Sequence, residues 1–354
     1  MSQSSPGFIN KKNIIKNLIF VLALGLGINI IFSFYTDFGK MGEALKTIKL
    51  GYFLIPFFVY IVVYLIESLR LTIVLRLFKY KISFKDSFFN SAMGYLFSYL
   101  TPLASGGQPF QIYHLKTLNV KARESSSIII SRFVENTISI IIIILIFIRR
   151  VLDIVYTTNL NRKILFLGLV TSLFFAIFFL FFLIRPDYIG KFAKKIETTK
   201  FIILLEKKFN KQKLSEKINK WTIELKNSVT ILWRENLYIM ILDIFLGLIV
   251  LLLQAYSMYY LFFKIIKIDM NFFEFSLIYF LIMLVSFYVP TPGASGGIES
   301  AYILVFLDFF KNKSLIVLSI FLWRISTYYL QIFFLFILMG IYFRKTKGDL
   351  HIGT

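Results

Sequence analysis

Thr101-Pro102-Leu103-Ala104-Ser105-Gly106-Gly107 and Thr291-Pro292-Gly293-Ala294-Ser295-Gly296-Gly297 agree at six of seven positions, and each interrupts a strongly apolar run. Proline removes a backbone N–H and glycine loses the most conformational freedom, so neither belongs at the centre of an uninterrupted helix. Finding the same unusual break twice points to an internal duplication. The chain must therefore fold as two related halves, each with a turn where a helix would otherwise continue.

The surroundings of the breaks decide the solvent. The sequence is 58% hydrophobic, and several apolar runs reach the roughly 20 residues that cross a bilayer. A soluble core cannot bury that much apolar surface, so the chain reads as a polytopic membrane protein.

Taken in order, Leu18 to Tyr35 is a first apolar run behind the basic Lys11 and Lys12, read as a retained helix. A second span covers residues 52–75, with Glu67 and Arg70 inside it. Ser87 to Leu100 and Pro109 to Leu118 flank the first break, and each is too short for a hydrocarbon core of about 30 Å. Together they read as a re-entrant hairpin; the competing reading is two short or tilted spans joined by a surface loop. Spans follow at 125–148 and Leu165 to Ile184, with a basic loop at 149–163 between them. Residues 185–236 are charged and basic and read as a cytoplasmic amphipathic segment. Leu237 to Phe263 is the next span, 272–310 the second broken hairpin, and Ser314 to Phe343 the last span before a basic tail.

The expected fold is therefore an all-α polytopic membrane protein with about six spanning helices and two re-entrant helical hairpins. One integral membrane domain covers residues 1–354: an N-terminal helix and loop (1–49), repeat 1 and the following span (50–184), the basic segment (185–236), and repeat 2 with the tail (237–354). With the N-terminus inside, about 26 of the 40 Lys and Arg fall on the cytoplasmic side. Both termini are then cytoplasmic, in the cell membrane. The repeats, roughly 50–148 and 238–343, acquire inverted topology, with the two hairpins entering from opposite sides. The loop at 149–163 runs against the charge rule locally.

The net charge of +21 would suggest nucleic acid in a soluble chain, but here the basic residues sit in loops between apolar runs, where anionic headgroups attract them. No nucleic-acid partner is expected. Without any Cys, thiol chemistry is excluded, and with His114 and His351 as the two histidines, a histidine-built metal site is not expected. No phosphate-binding P-loop, Asp-x-Asp pair or nucleophile elbow occurs, and no cofactor or metal is expected.

Candidate chemistry gathers at the breaks. Each Gly-Gly pair precedes a helix start, and a helix N-terminus at mid-membrane offers N–H groups and a positive dipole end to an anion. Pro109 suits a first helical turn, and Glu299 suits the third position if Gly296 is the cap. Glu299 thus reads equally as a cap and as a functional carboxylate. Arg132 follows Gly107 by 25 residues and Arg324 follows Gly297 by 27, so they occupy matching places inside spans. An intramembrane arginine needs a partner, a wet cavity or an anionic ligand; ligand binding is the reading adopted for both. Glu135, one turn from Arg132, is a candidate counter-charge. Glu67 and Arg70, three apart, read as a structural charge pair. Gln108, Gln111 and His114 could line a polar path or be satisfied structurally.

At Thr101 to Tyr113, Ser131-Arg132-Phe133 and Pro290 to Glu299 the sequence resembles the lysylphosphatidylglycerol synthase transmembrane, or flippase-like, family. The resemblance covers nearly the whole chain. It implies the membrane module that in multiple peptide resistance factors moves aminoacylated phosphatidylglycerol between leaflets, while a separate soluble synthase domain makes that lipid. This sequence ends at Thr354 after the last predicted span, so the transmembrane module alone, without synthase activity, is expected.

The expected function is phospholipid transport through a midplane headgroup site, with a lipid synthase as a candidate partner. The binding set is Thr101, Pro102, Ser105, Gly106, Gly107, Gln108, Arg132 and Glu135 from repeat 1, and Thr291, Pro292, Gly293, Ser295, Gly296, Gly297, Glu299 and Arg324 from repeat 2. The alternative is a membrane enzyme or accessory factor handling polyprenyl-phosphate-linked sugars. It needs the same phosphate site.

Overall fold

A computed structural model describes residues 48–49, 51–157, 230–286 and 291–349, with isolated helical positions between 166 and 227. The predicted first helix, Val289 and Pro290, most of the 165–184 span and most of the 185–236 segment lie outside the described residues. Among the described residues every regular element is helical.

Repeat 1 comprises α1 (Gly51–Leu77), α2 (Phe84–Leu100), α3 (Gly107–Thr117) and α4 (Ala122–Ile146). A short helix α5 (Ile148–Thr157) follows where a loop was expected. A π-helical turn (Ile231–Glu235) then leads into repeat 2: α6 (Leu237–Ile265), α7 (Phe272–Ser286), α8 (Gly297–Phe309) and α9 (Lys313–Arg324). A second π turn (Ile325–Tyr329) joins α9 to α10 (Leu330–Asp349). Both repeats thus run long helix, short helix, turn, short helix, long helix. Among the described residues four helices are long and apolar enough to cross a membrane: α1, α4, α6 and the continuous Lys313–Arg344 stretch.

Local chemistry sets the ends. Ser83 Oγ accepts from the Asp86 N–H at 3.1 Å to start α2, and Asn312 Oδ1 accepts from the Leu315 N–H at 3.2 Å to start α9. Asn271 does the same for α7, accepting from the Glu274 N–H at 2.9 Å.

The helices are apolar outward. On α1 the exposed side chains Phe58, Val62, Leu65 and Leu69 form one stripe at helical spacing, while Glu67, Ser68 and Arg70 face inward. A helix that hides its charges and exposes its hydrocarbons is made for lipid. α1 and α6 pack together more extensively than any other pair. Arg70 meets Asp243 and Gly247, Leu71 and Leu75 share a core cluster with Met240, and Tyr60 and Tyr64 share one with Val250. Rising numbers on α1 meet falling numbers on α6, so the leading helices of the two repeats run antiparallel.

The short helices cross closely. A Cβ on Gly107 would stand 2.5 Å from the Gly94 carbonyl oxygen, and one on Gly94 would stand 2.7 Å from Gln111 Cδ. Small residues at a membrane helix crossing let backbones touch, which is what holds α2 against α3.

Candidate functional site

The duplicated heptapeptides fold into the same turn. In the first, Ala104 N–H donates to the Thr101 carbonyl at 3.2 Å and Ser105 N–H to the Pro102 carbonyl at 3.1 Å. In the second, Ala294 donates to Thr291 at 3.0 Å and Ser295 to Pro292 at 3.1 Å. Matching residues take left-handed backbone: Leu103 and Ala104 at φ 55° and 52°, Gly293 and Ala294 at φ 57° and 53°. The one mismatch in the repeat, Leu103 against Gly293, has a steric cause. A Cβ on Gly293 would come within 2.6 Å of the Tyr328 hydroxyl oxygen, whereas Leu103 is 52% exposed.

The two turns meet. Pro102 and Pro292 pair antiparallel in an isolated backbone bridge; neither proline has an N–H, so flanking groups must make the pairing. Tyr328 stands over the junction, its hydroxyl 3.1 Å from the Tyr99 carbonyl and 3.4 Å from the Pro292 carbonyl. That tyrosine lies in the π turn, whose hydroxyls Ser326 and Thr327 bond back to the carbonyls of Leu322 and Trp323 at 2.8 and 2.7 Å.

The helix N-termini behind the turns are less free than expected. The Gly106 N–H donates to Thr101 Oγ1 at 2.8 Å, and the Gly296 N–H donates to Glu299 Oε2 at 2.7 Å. Glu299 is fully buried and caps its own helix, the first of the two roles weighed for it. Its second oxygen accepts from Arg324 Nε at 2.6 Å, while Arg324 also donates to the Gly293 carbonyl at 2.9 Å. The Arg324 guanidinium carbon lies 4.6 Å from the Tyr328 ring centroid, adding a cation–π contact.

Arg132 does not mirror Arg324. The position matching Glu299 in repeat 1 is Pro109, so no carboxylate waits at the first turn. Arg132 turns instead to α1, donating to the Glu67 carbonyl at 3.0 Å and pairing with the Glu67 carboxylate. It also stands 3.9 Å from Asp243. Arg70 grips Asp243 with two hydrogen bonds of 3.0 Å, donates to Glu67 at 2.9 Å and to Asn136 at 3.3 Å, and lies 3.7 Å from Glu135. Glu135 therefore sits beside Arg70 rather than neutralising Arg132 directly. The cluster of Glu67, Arg70, Arg132, Glu135 and Asp243 is between 0% and 8% exposed. Arg132 Nε and both Glu135 oxygens make no hydrogen bond within it.

A cavity of about 320 Å³ opens where these parts converge. Arg132 and Arg324 both reach its wall, with Glu67, Gly107, Gln108, Gln111, Gly293, Asn136 and Gln254, and the tyrosines Tyr60, Tyr95, Tyr99 and Tyr279. Thr101, Pro102, Ser105, Gly106, Thr291, Pro292, Ser295, Gly296, Gly297 and Glu299 build the turns behind that wall, and Glu135 lies behind Arg132. His114 is structural: its ring nitrogens stand 3.1 Å from Asn90 Nδ2 and 3.2 Å from the Tyr342 hydroxyl. Sequence reasoning missed Asp243, although a lone carboxylate inside the apolar run Leu237 to Phe263 was itself a signal. Among the described residues no cluster of His, Cys, Asp and Glu is arranged to hold a metal.

Apolar-outward helices, two paired broken turns and a cavity lined by both repeats, whose leading helices run antiparallel, define an all-α integral membrane protein. Residues 19–334 match the family described as lysylphosphatidylglycerol synthase TM region, and the chain belongs to it. It is also similar to a UPF0104 membrane protein of Archaeoglobus fulgidus, 27% identical over 315 residues, spanning 85% of this chain and 89% of that protein.

Proposed function

We propose that the chain is a transporter, not an enzyme, and moves a polar-headed phospholipid between leaflets of the cell membrane. The observation that carries this reading is the convergence of Arg132 and Arg324 on one cavity at the paired turns. Two guanidiniums suit a headgroup phosphate, which accepts forked hydrogen bonds. A volume of about 320 Å³ suits a headgroup but not its acyl chains, so the chains would stay in lipid. The headgroup is anionic or aminoacylated; Glu67, a carboxylate residue on the cavity wall, would favour an amino group beside the phosphate. The short helices enter as re-entrant hairpins from opposite sides, both termini face the cytoplasm, and the antiparallel leading helices support alternating access by the two repeats. A lipid synthase would supply the substrate. Polyprenyl-phosphate-linked sugars would need the same phosphate site, and no observation favours them.

The test is leaflet exchange in vesicles carrying the purified chain and fluorescent phosphatidylglycerol, lysylphosphatidylglycerol or phosphatidylcholine. Wild type should accelerate exchange of at least one of them, and Arg132→Ala with Arg324→Ala should abolish it. Equal exchange by wild type and the double variant sinks the site.

A further inference from the structure

The buried cluster does not balance. Glu67, Glu135 and Asp243 are three carboxylates, Arg70 and Arg132 two guanidiniums, all linked by contacts of 3.9 Å or less. Fully ionised, the group carries one excess negative charge inside a membrane protein, where an uncompensated ion is costly. Asp243 and Glu67 are well served, accepting from Arg70 and Arg132. Glu135 is not: it is 3% exposed and neither of its oxygens accepts a hydrogen bond. Its nearest cation, the Arg70 terminal nitrogen, is 3.7 Å away and already donates to Asp243.

Among the described residues no outside charge completes the count. Glu135 is faced by Arg70 and Glu67 from α1, Asp243 from α6 and Arg132 from its own helix. α3, α5 and α7 also pack on α4, but His114 is taken by Asn90 and Tyr342, and Lys116 is exposed. Arg149, Arg150, Asp153 and Glu274 lie past the end of α4, about four helical turns away.

We propose that the cluster is a proton-binding site in which Glu135 and Asp243 share one proton, and that this proton is taken up together with an anionic headgroup. The second half rests on the transport reading above. The coupling follows from Arg132, which touches both places. It lines the cavity, its Nε has no hydrogen bond, and beyond Glu67 it pairs with the Asp243 carboxylate, 3.9 Å from that Nε. Without the proton, the excess negative charge draws Arg132 toward Asp243 and away from the cavity. With the proton, the cluster is neutral and Arg132 is available to a phosphate. A phosphate bound at Arg132 in turn adds negative charge that favours the proton, so each ligand raises the affinity for the other. Glu67 and Asn136 reach the cavity wall and give the proton a polar route in.

The full chain, reconstituted at neutral pH in phosphatidylcholine vesicles that also contain phosphatidylglycerol to supply the anionic headgroup, tests the site by infrared difference spectroscopy. The readout is the C=O stretch of a protonated carboxyl, recognised by its downshift in D2O. Wild type should show it. Glu135→Gln and Asp243→Asn should each lose it, because either change removes one negative charge and leaves a neutral cluster with no proton to hold. No band in wild type, or a band surviving in either variant, overturns the site. If Asp243→Asn fails to fold for want of its contacts with Arg70, the near-isosteric Glu135→Gln alone decides.

Coupling is tested in the same vesicles with fluorescent phosphatidylglycerol and an imposed pH gradient. Exchange should respond to the gradient in wild type, and that response should be lost in Glu135→Gln. An equal response in both overturns the coupling. Wild-type vesicles that show the band but exchange none of the test lipids refute the transport reading and the coupling with it, leaving the proton site standing.

Discussion

Arg324 is tied to Glu299 at 2.6 Å, and through the Gly293 carbonyl at 2.9 Å to the second turn itself. One guanidinium therefore fastens the last long helix to the turn, and Glu299 closes the circuit by holding the Gly296 N–H at 2.7 Å. Removing either charge alone strands the other in a buried site.

Arg324→Ala should accordingly lower stability by about 3–5 kcal/mol, and Glu299→Ala by a similar amount. The Glu299→Gln, Arg324→Gln double variant should recover much of that loss while still failing to transport. Thermal unfolding of the purified protein separates the two effects: a double variant as unstable as Arg324→Ala argues against the pair.

Gly293→Ala places a Cβ at φ 57° and within 2.7 Å of Tyr328 Cζ. The left-handed conformation alone costs about 1–2 kcal/mol, and the ring clash adds to it. At the matching position Leu103→Gly should instead raise stability by about 1 kcal/mol, since Leu103 already holds φ 55° and its side chain is largely exposed. Comparable melting shifts for the two variants would show that the turns are not built as described.

Gly107→Ala should part α2 from α3, because the new methyl meets the Gly94 carbonyl, a backbone atom that cannot swing aside. A loss of about 1–3 kcal/mol is expected from such overpacking. Gly340→Ala is the control: exposed on α10, with nothing within 4 Å of its Cβ position, it should gain up to about 1 kcal/mol. Thermostability of both, measured side by side, decides.

Gly247→Ala acts at a distance from the turns. Its Cβ would stand 2.9 Å from the Arg70 terminal nitrogen and 3.0 Å from Asn136 Oδ1, pushing Arg70 off Asp243. Stability should fall by about 1–3 kcal/mol, and Asp243→Asn should already contain most of that effect. A strictly additive Gly247→Ala, Asp243→Asn double variant would show the two residues act independently.

The absence of cysteine permits a direct test of the turn junction. A paired position that makes no hydrogen bonds of its own brings two Cα atoms to about 4.5 Å, within disulfide range. Pro102→Cys with Pro292→Cys should cross-link under mild oxidation, slowing the protein on non-reducing gels only after proteolysis between the repeats. Lipid exchange should stop on oxidation and return with a reductant.

Much of the fold was legible because the period and the breaks were so regular. Two heptapeptides in apolar runs announced both turns, and Glu67 with Arg70 announced a contact that a helix makes within itself. What stayed hidden needed tertiary proximity. Arg132 finds Glu67 and Asp243, 65 and 111 residues away in sequence, and no local pattern chooses between those partners and a ligand. Similar spacing made Arg132 and Arg324 look equivalent; Pro109 in place of a second glutamate was the residue that broke the equivalence. The π turn at Ile325–Tyr329 left no trace in an otherwise continuous apolar stretch, since one extra residue per turn does not disturb hydropathy. Helix α5 fell among arginines that read as loop.

The junction of Pro102 with Pro292 also bears on how two halves of one chain can diverge. Each turn is the packing surface of the other, as at a two-fold subunit interface where one patch faces its own copy. A substitution in either heptapeptide is therefore felt by both, while residues farther from the junction answer only to local neighbours. Drift can erase the kinship of α4 with the α9–α10 helix. At the junction it is held in check, and that is where the ancestry of the chain can still be read.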